Sequence, residues 1–93
     1  MRLLMKIPLP ANTQNALAGD PQLKQKLAHV FHEIGVQARY SNIVDGQRIE
    51  YALVDIAEER ITATAEPVFR LLGVKPEFLP EVTPKSYYGR VGY

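Results

Sequence analysis

Four residues have types and spacing that could do chemistry together: Tyr40 and Tyr51, with Asn42 and Arg39 close by. They flank Asp45-Gly46, a dipeptide suited to a two-residue type I′ hairpin turn. Such a turn sets Val44 against Gln47, and therefore Tyr40 opposite Tyr51 and Ala38 opposite Leu53. Two phenols across a strand pair can clamp a flat ligand or donate O–H groups to an oxyanion. Plain cross-strand packing, about 0.2–1 kcal/mol relative to Ala–Ala, is the competing reading. In the enzymatic reading the tyrosines orient a substrate or stabilise an enolate, Asn42 hydrogen-bonds it and Arg39 clamps its carboxylate. In the structural reading Arg39 pairs with Glu50, its diagonal neighbour on the opposite face from the tyrosines. Arg2, Lys6, Lys75, Glu77 and Glu81 are expected to extend that mixed-charge face and suit it to meeting a second copy.

Other chemistries find little support. His29, His32 and Glu33 fall together on a helix, but a metal needs a third inward-facing ligand, and helical phase turns both histidines away from Leu27 toward solvent. The chain has no cysteine, which removes disulfides, thiol catalysis and thiolate metal sites. No serine, histidine and acid arrangement suggests nucleophilic catalysis, and neither a metal nor a cofactor is expected. Eleven basic and ten acidic side chains leave a formal charge of +1, too little for phosphate-backbone binding. The stretch that would serve as an RNA-stacking platform, residues 49–56, keeps only Tyr51 and places Glu50 beside it. Neither nucleic acid nor a membrane is an expected partner.

Four strands and two helices must position these groups. Residues 2–7 alternate, with Leu3, Met5 and Ile7 on one face and Arg2, Leu4 and Lys6 on the other. Lys6 and Pro8 interrupt the apolar opening, which reads as a strand rather than a leader. Residues 11–19, small and polar, are expected to hold at most one helical turn. Asp20 as N-cap, Pro21 at the first helical position and Gly35 at the C′ site bound the first helix, whose stripe is Leu23, Leu27, Val30, Phe31 and Ile34. The hairpin strands span 36–44 and 47–56. A second helix covers 58–72, with Ile61, Ala65, Val68 and Leu72 inward and a kink or break expected at 63–66 ahead of Pro67. A fourth strand follows over 74–82. The sequence divides into one domain, 1–84, and a tail, 85–93, that carries Tyr87, Tyr88 and Tyr93.

The order β-α-β-β-α-β specifies an α+β fold, a ferredoxin-like sandwich with an antiparallel sheet and two helices on one face. Ala52-Leu53-Val54-Asp55-Ile56 is apolar on both sides, so the face away from the helices also needs cover.

This layout resembles the dimeric α/β-barrel group of ferredoxin-like proteins, most closely its short bacterial single-domain members. The resemblance rests on the opening Met1-Arg2-Leu3-Leu4-Met5-Lys6, the hairpin with Tyr51-Ala52-Leu53-Val54-Asp55, and Ala65-Glu66-Pro67-Val68-Phe69 leading to Val74-Lys75-Pro76-Glu77-Phe78. It implies a homodimer closed through the sheet face, in the cytoplasm, with a small-molecule ligand. Activities within the group include cofactor-independent monooxygenation and isomerisation. No residue set here matches one catalytic subfamily, so a non-catalytic ligand-binding, regulatory or assembly module stands beside the enzymatic expectation.

Overall fold

The computed structural model describes residues 1–80. Strand β1, Arg2–Leu9, buries alternate residues, Leu3, Met5, Ile7 and Leu9, as a strand half-covered by helices must. Strands β2, Ala38–Val44, and β3, Gln47–Asp55, form the hairpin, and β4 spans Glu77–Pro80. The four strands make one antiparallel sheet in the order β2-β3-β1-β4. The hairpin register is the expected one, with Val44 against Gln47, Tyr40 against Tyr51 and Ala38 against Leu53. Asp45 and Gly46 at the turn have φ of 52° and 77°, the two left-handed residues that a type I′ turn demands.

Helix α2, Pro21–Glu33, forms as its caps require. The Asp20 side chain accepts hydrogen bonds from the backbone N–H groups of Gln22 and Leu23 at 3.0 and 3.2 Å. At the other end Gly35, with φ 79°, lets Val36 N–H reach the Phe31 carbonyl at 2.9 Å and closes a Schellman motif. Leu27 and Phe31 bury against Met5, Ile7 and Ala52. Helix α3, Ile61–Leu72, adds Val68 to the same core and ends at left-handed Gly73. Met5, Ile7, Val54 and Val68 are fully buried, each contributing about 1.5–3 kcal/mol of transfer free energy.

Three expectations need correction. Residues 11–19 form a full helix, α1, Ala11–Gly19, so three helices, not two, lie on one face of the sheet. Its small polar residues hide the helical period, since only Thr13 is buried and Leu17 half-buried, one turn apart. Gln14 secures its start by donating from Nε2 to the Leu9 carbonyl at 2.8 Å. The second long helix begins with a 3₁₀ turn, Glu58–Arg60, and runs unbroken through Pro67. The one bond Pro67 removes, to the Ala63 carbonyl, falls where Ala63 is exposed, while buried Thr64 and Val68 hold the helix to the core. The fourth strand is shorter than expected and lacks residues 74–76. Its expected end at residue 82, the domain boundary at 84 and the tyrosine-bearing tail lie outside the described residues. No helix among the described residues is long and apolar enough to cross a membrane.

Candidate functional site

Strand alternation fixes which side chains share a face. Ile7 lies against Glu50, Leu9 against Arg48 and Met5 against Ala52 across β1 and β3. On β2, Ser41 is opposite Glu50 and Arg39 opposite Ala52. All eight therefore point toward the helices. The helices do not reach over β2, an edge strand exposed along its whole length, and the shortfall leaves a hollow.

That hollow holds about 590 Å³ between the β2–β3 end of the sheet, α1 and α2, with Leu72 of α3 also lining it. Its floor is apolar, with Leu9, Leu17, Leu27 and Phe31, and its wall is polar, with Arg39, Ser41, Arg48 and Glu50. The volume lies within the range of about 300–1,000 Å³ typical of small-molecule sites. Helix α1 supplies Gln14, Asn15 and Ala18, and Lys24 enters from α2.

The polar wall is internally ordered. Arg39 Nε donates to Glu50 Oε1 at 2.9 Å, and the Glu50 side chain is only 12% exposed. The Arg39 guanidinium carbon also sits 4.8 Å from the centroid of the Phe31 ring, a cation–π contact. Arg48 donates from Nη1 to Ser41 Oγ at 3.0 Å. Among the described residues the lining carries three cations, Lys24, Arg39 and Arg48, against one carboxylate, Glu50, a local excess of two.

The expected site residues are divided between the two faces. Tyr40 and Tyr51 stack, with ring centroids 4.9 Å apart and planes 15° from parallel, and Asn42 shares their face. This face points away from the helices. Asn42 turns its Oδ1 to the Ile43 N–H at 2.8 Å, a local backbone bond. Arg39 is on the helix side, across the sheet from the phenols. The expected mixed-charge face is split likewise: Lys6 pairs with Glu77 at 3.9 Å on the tyrosine side, and Arg39 pairs with Glu50 on the helix side. Ser41, Arg48 and all of α1 were not singled out from sequence. Alternation from Glu50 would have placed Arg48 on the cavity wall, but nothing in the sequence shows that α1 exists to close it.

His29 and His32 lie on the solvent side of α2, and His29 approaches Glu33 at 3.6 Å. Among the described residues no group of three or more His, Cys, Asp or Glu side chains could hold a metal. A second hollow of about 860 Å³ between α2 and α3 is a shallow groove whose Glu66 and Arg70 pair with each other. Scanned against protein-family models and against curated proteins, the chain matches none.

Proposed function

We propose that this protein is a small homodimeric module that binds a small organic molecule in the hollow between α1, α2 and the β2–β3 end of the sheet. The observation that carries this reading is the joining, in one hollow, of an apolar floor to an ordered polar wall. Such a combination buries a ligand body and fixes its orientation. Binding is favoured over monooxygenase- or isomerase-like catalysis because Glu50, the one carboxylate among the described lining residues, is engaged by Arg39.

The antiparallel order β2-β3-β1-β4 with its helices on one side supports a ferredoxin-like sandwich, and the other face supports a second copy as its cover. Leu4, Tyr51 and Leu53 lie half-buried there, and Leu79 is exposed at the edge. Charges of both signs, Lys6, Glu77 and Asp55, surround them, as a surface meeting itself about a two-fold axis needs.

Thermal unfolding of the full chain in the presence of octanoate or phenylbutyrate tests the cavity. A ligand confined to the native state raises Tm with concentration. Ala18→Phe, which fills the hollow from exposed α1, should abolish that rise with little change in the Tm of the free protein. An undiminished rise in this variant would place the binding elsewhere.

A further inference from the structure

Resting on the cavity reading above, we infer that the occupant is an amphipathic monoanion, a carboxylate on an aliphatic or aromatic body, and that Arg48 holds its carboxylate.

Charge points to an anion. Among the described residues the lining carries an excess of two positive charges, against +1 for the whole chain, concentrated around one hollow. Of its three cations Arg39 is already engaged, by Glu50 at 2.9 Å and by the Phe31 ring beneath it. Arg48 is not. Its bond is to a neutral acceptor, Ser41 Oγ, made through Nη1, and it meets no carboxylate among the described residues. The remaining guanidinium donors match the planar, two-point geometry of a carboxylate. Lys24, at the start of α2, adds a second positive charge to the same lining.

The Arg39–Glu50 pair explains why Arg48 remains available. Glu50 lies two residues from Arg48 on the same face of β3, within reach of its guanidinium. Held by Arg39 at 2.9 Å, the Glu50 carboxylate has its charge matched. Arg39 is thus a positioning residue: it keeps an internal carboxylate from taking the place of the ligand's. The apolar floor of Leu9, Leu17, Leu27 and Phe31 takes the ligand body, so a bare inorganic anion would use only half the site.

Calorimetric titration of the full chain with octanoate and octanamide, and with phenylbutyrate and its amide, separates the two levels of the argument. Each carboxylate should bind at least about tenfold tighter than its amide, the difference expected of a charge-assisted bidentate contact. Arg48→Gln should bring the carboxylate down to the level of the amide and leave the amide unchanged. Arg39→Gln should weaken the carboxylate by releasing Glu50 toward Arg48, and Arg39→Gln with Glu50→Gln should restore it, a rescue that a merely structural role would not give. Equal binding of acid and amide, unaffected by Arg48→Gln, would overturn the anion inference and leave the cavity reading standing. No binding of either probe, or binding that survives Ala18→Phe, would overturn both.

Discussion

Tyr40 and Tyr51 stack ring on ring across the hairpin, 4.9 Å between centroids, while Arg39 and Glu50 join on the reverse side of the same two strands. One hairpin therefore serves two surfaces. Its tyrosine side carries the stacked rings with Ala38, Asn42 and Leu53, and its arginine side walls the hollow.

That separation gives a direct prediction for the phenols. The double variant Tyr40→Phe, Tyr51→Phe keeps the stacked rings, so octanoate-induced thermal stabilisation should be unchanged within error. Tyr51→Ala, which removes the ring contact, should cost about 0.5–1.5 kcal/mol beyond the lost burial, measured by urea unfolding.

The tyrosine side of the sheet should associate. Light scattering on a sizing column should give twice the 10.5 kDa chain mass, stable to dilution. Leu53→Glu, a charge in the middle of the apolar patch beside Leu4 and Ala38, should yield a monomer that keeps its far-UV circular dichroism. A monomeric parent chain at every concentration would remove the second copy from the account.

Helix α2 should depend on its cap. Replacing Asp20 by Ala removes the acceptor for Gln22 and Leu23 N–H and should cost about 0.5–2 kcal/mol, while Asp20→Asn should cost little. Chemical denaturation with the slope held constant measures both.

The hairpin register and the bounds of α2 were legible because each is set by short-range stereochemistry. Asp45-Gly46 admits a two-residue turn, after which every cross-strand pair follows by counting. Asp20, Pro21 and Gly35 mark the helix ends by the same kind of local rule. Helix α1 was not legible, since Ala11–Gly19 has no capping side chain and almost no apolar stripe. It stands because Gln14 ties it to Leu9 and because Thr13 and Leu17 find cover in the tertiary structure. The hollow shared this fate. From the sequence Arg39 was either a carboxylate clamp or the partner of Glu50, and the pair with Glu50 is what forms; the face Arg39 shares with Arg48 became a cavity only with α1 as its third side.

Core packing sets the scale against which these effects are read. Met5, fully buried beneath α2 and α3, should cost about 2–5 kcal/mol on truncation to Ala. Pro67→Ala should act in the opposite direction, restoring the bond to the Ala63 carbonyl and raising stability by up to about 3 kcal/mol. Both are measurable as shifts of the unfolding midpoint.

The most direct test of the central claim uses leucine methyl groups, because the two faces of the sheet carry different leucines. With methyl-labelled protein and increasing octanoate, the methyl resonances of Leu9, Leu17 and Leu27 should move together in a saturable titration, while those of Leu4, Leu53 and Leu79 stay in place. Shifts confined to Leu4, Leu53 and Leu79, or no saturable shift at Leu9, Leu17 and Leu27, would contradict the assignment of the ligand site to the helix side of the sheet.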